Sequence, residues 1–487
     1  MAMIKRIVQL AALAAIAVLI HGYHLGVDDA EIYVPAIKRA ADPALYPFGS
    51  EFFQSHARLS LFPNLVGGSA RLAHSPADWA IFAWHVFGVF LLLAAAWRLA
   101  CACFPHAPAR WGAVALLAAA FSVPAAGTAL VIMDPYLTAR SLSAPAALFA
   151  AACYLSNRPL RALGWLAFAA AVHPQMALFA GAFLAVAAAS RHAQAASSTS
   201  VFAAFSAFPL LFDFHPSTGP AREALLSRTY FFVTQWAWYE WVGVAAPLAL
   251  LAWAGSVKFK GTTPAFRAAA RALVALGVLA TAAGLVLAAS PRFENLTRLQ
   301  PMRSFQLIYA VFFVLLGGLA GEYALKKHAW RWAALFLPLA AAMWLLAGSA
   351  YPHSPHVEWP GGHGSGAWTS AFYWIRENTP KDAVFALDPD YMAAPRDDQH
   401  GFRAVAERSA LADRLKDSGA VSLFPALAGD CKTQVEAASG WRSFHAADFE
   451  RLAAEFPVDW VVVRGPGPAG FACPYRNAEL AVCRIPH

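Results

Sequence analysis

Charge is what this sequence has least of. Only 14% of its 487 residues are Asp, Glu, Lys or Arg, where ordinary soluble domains carry about 25%, and 59% are hydrophobic. That balance excludes a chain folded in water alone and describes a polytopic membrane protein, for which length divided by a soluble domain size says nothing about domain number. The net charge of +8 does not amount to a nucleic-acid partner, because the basic residues stand in short loops between apolar segments and build no stripe. A cleavage site is lacking too. Met1 to Arg6 is a short basic lead and Ile7 to Ile20 is apolar, as in a signal peptide. His21, Gly22, Tyr23 and His24 then occupy the place of the small residues a peptidase needs, so the segment reads as an uncleaved first helix.

Cysteine is scarce, six in all. Cys101 and Cys103 have only His106 nearby, short of the four ligands of a structural zinc site, and Cys153 falls inside an apolar span. Cys431, Cys473 and Cys483 lie beyond the apolar part. Cys473 with Cys483 is the favoured disulfide, and three cysteines leave one over. Gly465, Gly467 and Gly470 spell GxGxxG after an apolar run, yet Pro466, Pro468 and the following FACPY deny the helix a dinucleotide fingerprint requires. That stretch is expected to be a turn between strands.

What is abundant is apolar sequence in spans. They run over Ile7–Ile20, Trp79–Ala100, Trp111–Leu130, Ser141–Leu155, Ala162–Val172, Met176–Ala189, Val201–Phe212, Trp241–Val257, Ala272–Ala289, Phe305–Gly321 and Trp332–Gly348, about eleven helices, several shorter than the ~20 residues of a perpendicular crossing. One alternate set of loops carries Lys5, Arg6, Arg98, Arg110, Arg158, Arg161, Arg191, Lys258, Lys260, Arg267, Lys326, Lys327 and Arg331. The other holds Asp28, Asp29, Glu31, Asp134, Asp213, Glu223, Glu240 and Glu294. Lys and Arg are retained in the cytoplasm, so the first set and the N-terminus face inward and the acidic set outward. Residues 1–350 form the transmembrane domain. Tyr351 to Gly366 is a Pro, Gly and His linker, and residues 367–487 have the composition of a soluble, outward-facing α/β domain. Within it, Ala367–Glu377 and Ala446–Glu455 read as helices and Ala383–Leu387 and Trp460–Val463 as strands. The fold class is mainly α: a polytopic helical membrane protein with a small C-terminal α/β extracytoplasmic domain.

The outward loop 22–78 is too long for a simple connection. It opens with Asp28, Asp29 and Glu31 on an expected non-helical lead-in. Pro35 suits the first turn of a helix through Arg39. Farther on, Phe52, Phe53, Leu59 and Phe62 oppose Gln54, Ser55 and Arg58 at near-helical spacing, as in a helix lying on the membrane surface.

Taken together, an N-terminal helix, a long outward loop opening with an acidic pair, many further spans and a soluble outward domain resemble the C-type glycosyltransferases (GT-C). More narrowly, DDAEIYVPAI and DPALYPF in the first loop, HPQ at His173, LQPMR at Leu299, and WIRENTPKDAVF and FPVDWVVV in the soluble part are similar to a bacterial multipass membrane family. That family carries no assigned reaction, so any activity is implied by the GT-C architecture alone. The resemblance implies a bacterial inner-membrane enzyme moving a sugar from a polyprenyl-phosphate donor to an envelope lipid, glycan or protein. Its first-loop acid acts as general base on the acceptor or helps seat a divalent metal, and the matching positions are Asp28 and Asp29. A carboxylate within hydrogen-bond reach can take the proton of a poorly nucleophilic hydroxyl, and hard oxygen ligands suit Mg²⁺ or Mn²⁺; the bland alternative is that outward loops are simply acidic here. Glu31 joins as a substrate-binding candidate. Asp134 and Arg140 sit on another outward turn, where an Asp-Pro helix start is an equal account. His173-Pro174-Gln175 reads first as a tight turn and second as a substrate contact. Arg298 and Arg303, in the last outward loop, suit a donor phosphate or act as lipid-headgroup anchors. The aromatic crowd at Phe231, Phe232, Trp236, Trp238, Tyr239 and Trp241 reads as an interfacial belt.

Two rival functions share these features. A transporter would show repeats with broken helices in matching positions, and none stands out. A non-catalytic envelope-assembly or binding protein would keep the architecture without the reaction.

Overall fold

The structure is a computed structural model, described for residues 2–192, 216–393 and 397–486. The span expected over Val201–Phe212, with Asp213 beside it, lies outside the described residues. Among the described residues, five helices are long and apolar enough to cross a membrane, within Met3–His21, Ala77–Cys103, Pro264–Ala288, Pro291–Leu325 and Ala329–Ala350, and Pro159–Val172 and Pro174–Ser190 are shorter apolar helices. The chain is a multi-pass membrane protein, mainly helical, with a small C-terminal sheet.

Helix α1 (Ala2–His21) leads into the first loop, which folds as α2 (Ala30–Ala41), α3 (Glu51–Ala57) and α4 (Phe62–Leu72). The helical body continues with α5 (Ala77–Cys103), α6 (Ala107–Ala119), α7 (Arg140–Leu155), α8 (Pro159–Val172) and α9 (Pro174–His192). After a short α10 (Gly219–Leu226) it resumes as α11 (Trp238–Ser256), α12 (Pro264–Ala288), α13 (Ser304–Leu319) and α14 (Ala329–Ala350). The span expected over Trp111–Leu130 is helical only to Ala119. Pro124 has no N–H to continue the ladder and disfavours a helical residue before it. The chain instead doubles back, pairing Pro124 with Val131 and taking positive φ at Ala126 and Ala129.

Two further expectations are corrected in the first loop. Glu31 lies inside the first turn of α2 rather than on a lead-in, and Pro35 sits in the interior of that helix, which therefore forgoes one ladder bond. The amphipathic stretch around Phe52 is two helices, and its apolar face is covered by protein. Phe52 packs with Ala412, Val421, Ala428, Cys431 and Val435 of the C-terminal domain, while Leu59 is left exposed.

The C-terminal domain begins with α15 (Ala367–Asn378), as the periodicity predicts. It continues with β1 (Val384–Ala386), α16 (Phe402–Ala406), β2 (Ser409–Ala410), α17 (Lys416–Leu423), α18 (Ala428–Ala437), α19 (Ala446–Glu455), β3 (Trp460–Arg464), β4 (Ala472–Arg476) and β5 (Leu480–Arg484). The sheet order is β2-β1-β3-β5-β4, parallel through β3 and antiparallel beyond. Gly465, Gly467 and Gly470 all have positive φ in the turn from β3 to β4, which is the turn their sequence predicts. Cys473 and Cys483 form the disulfide, and Cys431 is the buried cysteine left over.

The first loop and the C-terminal domain are one folded unit. Tyr23 pairs with Val357 and Val27 with His400 as isolated bridges. Lys38 Nζ donates to Asp78 at 2.7 Å, Glu407 at 2.8 Å and the Ala404 carbonyl at 2.8 Å. Arg376 closes the ring by bonding Asp78 at 2.7 Å and Glu407 at 3.0 Å. Breaking a buried pair typically costs about 3–5 kcal/mol because a lone buried charge remains. The loops at the other end of the body meet separately, Thr263 N–H donating to the Cys103 carbonyl at 2.9 Å and His106 pairing with Glu322 at 2.8 Å.

Candidate functional site

Three segments that are far apart in sequence converge where the first loop meets the helical body. Asp28 has φ +52°, a left-handed conformation that Asp tolerates better than most residues. Its backbone N–H donates to the Gln399 carbonyl at 3.1 Å. Asp29 stands at the start of α2 but does not cap it with its side chain, so its carboxylate is free to turn outward from the helix.

The turn between α6 and α7 supplies the second side. Asp134 Oδ2 accepts from Thr138 Oγ1 at 3.1 Å and from Arg140 Nε and Nη2 at 3.2 and 3.0 Å. Arg140 Nη2 also donates to Asp29 Oδ2 at 3.1 Å. The Tyr136 hydroxyl donates to Asp28 Oδ2 at 3.1 Å. The third side comes from the C-terminal domain: Lys416 Nζ bonds Asp28 Oδ1 directly and lies 3.2 Å from Asp29 Oδ1. Neither Tyr136 nor Lys416 carries a local signal in the sequence; Lys416 is 388 positions from Asp28.

The two acids are not equivalent. The Asp28 side chain is 42% exposed and that of Asp29 27%. Burial alone would raise Asp29, but the charges of Lys416, Arg140 and Arg303 outweigh it and hold the carboxyl well below the usual carboxylate range. Burial pushes Asp134 up, against the pull of Arg140. Lys416 is partly desolvated, and its two aspartates more than offset that, so its ammonium is held above the usual lysine range.

Arg303 and His173 join the cluster from the body. Arg303 is close enough for its charge to act on Asp29, Tyr33, His56 and His173. Its guanidinium lies 5.2 Å from the centroid of the Tyr230 ring, and its Nε is buried without a partner. Gln175 Nε2 donates to the Leu299 carbonyl at 3.2 Å, so the HPQ and LQPMR stretches touch. His56, on α3, was not singled out by the sequence. Burial pushes it down to about 4, leaving a neutral imidazole whose Nδ1 has no partner.

Two expected site residues are placed elsewhere. Glu31 is buried beneath the C-terminal domain, accepting from the Arg403 and Ala404 backbone N–H groups at 3.0 and 2.8 Å and from the Arg403 guanidinium at 3.4 Å. It has no surface left for a substrate. Arg298 donates to the Ser422 carbonyl at 2.7 Å and to Ser217 Oγ at 2.8 Å, which ties the last loop to α17 and commits the side chain to a latch. An ammonium, a guanidinium and a phenol bond the carboxylates of the acid pair, and among the described residues no group of three or more His, Cys, Asp or Glu could hold a metal ion.

Residues 366–417 match a family described as a domain of unknown function (DUF6798), a segment running from the start of α15 to the second residue of α17. No curated protein matches. Among solved structures, the mycobacterial arabinofuranosyltransferase AftD, determined by single-particle cryo-EM, aligns at 15% identity with a TM-score of 0.46. The alignment covers 98% of this chain and 40% of AftD, so the chain spans less than half the length of that neighbour.

Proposed function

We propose that the protein is a membrane glycosyltransferase of the GT-C type, moving a sugar from a polyprenyl-phosphate donor to an envelope acceptor at the outer membrane face. The observation that carries this reading is the partly exposed Asp28 carboxylate, held by Lys416 and Tyr136 at the end of the helical body, beside Asp29, on which the charges of Lys416, Arg140 and Arg303 act. In the reaction, an acceptor hydroxyl oxygen bonds to the anomeric carbon as the bond from that carbon to the phosphate oxygen breaks. Asp28 accepts the hydroxyl proton, and the polyprenyl phosphate leaves with the electron pair. Each carboxylate oxygen has two acceptor positions, so the bonds from Lys416 and Tyr136 orient Asp28 without exhausting it. Asp29, held ionised by three cations, is the poorer base and serves to position Arg140 and Lys416. Arg303, with an unpartnered donor at the membrane boundary, suits the departing phosphate, where an unpaired anion would be costly. The Arg303 charge reaches His173, which assigns that residue to the surroundings of the same phosphate.

A second reading has its own observation. Lys416 joins both acids of the first loop to the C-terminal domain, as an ionic strap in a non-catalytic envelope-assembly or binding protein would. Asp28→Asn separates the two. A transferase loses ~10²–10⁴-fold in turnover, as for general-base removal, with membrane insertion and expression unchanged. Wild-type sugar transfer by the variant, together with unaltered lipid-linked sugars and envelope glycans in a deletion strain, would eliminate the transferase reading.

A further inference from the structure

The resemblance to GT-C enzymes raises a divalent metal at the first-loop acids, and the donor set here disagrees with one. A hard divalent cation takes six or more oxygens, several of them from carboxylates or water. At this site the inward-facing oxygens of Asp28 and Asp29 converge on a single ammonium, Lys416 Nζ, and the outer Asp29 oxygen is held by Arg140. Asp134, joined to Asp29 through Arg140, spends Oδ2 on three donors from Thr138 and Arg140.

The lysine is also fixed from behind. Lys416 opens α17, and the Asp413 carboxylate accepts the backbone N–H groups of Leu415 and Lys416. The next residue, Asp417, accepts from Arg403 at 2.8 Å, and Arg403 in turn bonds Glu31 on α2. The helix that bears the cation is therefore tied to the helix that follows the acids by a second, buried ionic chain. A side chain held in this way has little rotamer freedom left to lose, and it is already in place before any ligand arrives.

We infer that Lys416 is a built-in cation occupying the position between Asp28 and Asp29 that a divalent metal would need, so that the C-terminal domain completes the site and the protein works without a metal there. Its role is positioning: it neutralises the pair and holds Asp28 oriented, and it touches no reacting atom. The inference concerns the same site as the transferase reading, but it is read out as metal occupancy, so its failure and that of the transferase reading are distinguishable.

The test is a Mn²⁺ titration of the purified full chain in detergent or nanodiscs, followed by the paramagnetic resonance signal of free Mn²⁺. Wild type is expected to show no saturable site tighter than ~1 mM, the weak end for oxygen-ligand modules. Lys416→Met, similar in length and neutral, is expected to gain one Mn²⁺ site, and adding Asp28→Asn to it is expected to remove that site again. A wild-type site abolished by Asp28→Asn or Asp29→Asn overturns the inference, as does a folded Lys416→Met that gains nothing. If Lys416→Met does not fold, the wild-type titration decides alone: absence of the site upholds the inference and its presence overturns it.

Discussion

Arg303 and Arg298 sit in one short loop and carry the same charge, yet their surroundings give them different work. Arg298 already has two partners, one of them the Ser422 carbonyl across a domain boundary, whereas Arg303 keeps an unpartnered Nε and lies against an aromatic ring. If Arg303 meets the donor phosphate, Arg303→Ala weakens donor use and Arg303→Lys restores it only in part, because a lysine cannot offer two parallel bonds to one phosphate. Donor saturation curves in matched membranes read this directly. Equal rescue by Lys would return Arg303 to a lipid-headgroup anchor. Asp413 makes a separate residue-level prediction. Burial and the neighbouring Asp417 push its carboxyl up to about 7, while one oxygen, Oδ2, is buried without a partner, where a proton would reside. An unfolded aspartate releases its proton near 3.9. Between those values the folded state holds a proton the unfolded state has lost, so this contribution to stability is full below about pH 4 and gone once pH passes about 7. Asp413→Asn keeps an acceptor for the α17 backbone and removes the titration. Thermal midpoints from pH 5 to 8.5 should fall for wild type and stay flatter for the variant; parallel curves would refute the assignment.

Among the elements, the crossing of α6 and α13 is set by glycine. A Cβ on Gly112 would press into the Gly317 carbonyl, one on Gly317 into the Gly112 carbonyl and Leu116, and one on Gly321 into Pro108. Small residues let membrane helices approach this closely, and overpacking such a contact costs about 1–3 kcal/mol or more. Gly317→Val is therefore expected to lower the thermal midpoint and the folded yield, while Gly164→Val on α8, where a Cβ meets open space, leaves both unchanged. An equal response at the two positions would show that the crossing has slack. Much at this scale could be read in advance. Ala446–Glu455 has its helical face and Trp460–Val463 its apolar run, and both elements form at those places. The misreadings have physical causes. An amphipathic face at Phe52 shows that something covers it but not whether lipid or protein does. The stretch from Trp111 to Leu130 stays apolar on both sides of Pro124, and that hides the point where the helix gives way to a turn. Of the site, Asp28 and Asp29 were visible as adjacent acids after an apolar helix, whereas Lys416, Tyr136 and His56 reach the cluster through tertiary contacts that no local pattern encodes.

At the scale of the whole molecule, the first loop, the α6–α7 turn, the last loop before α13 and the C-terminal domain all gather at one end of the helical body. The bonds from Val27 to His400, from Arg140 to Asp29 and from Arg298 to Ser422 leave them no freedom to lie on opposite sides of a bilayer. The opposite end collects the loops at Cys103, Lys260 and Glu322, together with Arg98, Arg110, Lys326 and Lys327. If Lys and Arg mark the cytoplasmic side, the acid pair and the C-terminal domain are outside together. A fluorescent reporter that matures only in the cytoplasm should stay dark when fused to the C-terminal domain, and a phosphatase active only outside should report activity from the same position. The structure adds a condition that the charge argument alone does not make: the two regions cannot be separated. A membrane-impermeant thiol reagent applied to intact cells should therefore label a cysteine placed at exposed Glu51 in the first loop and one placed at exposed Glu450 on α19 alike. Labelling of only one of them would break the proposed arrangement, and a bright fluorescent fusion would invert it.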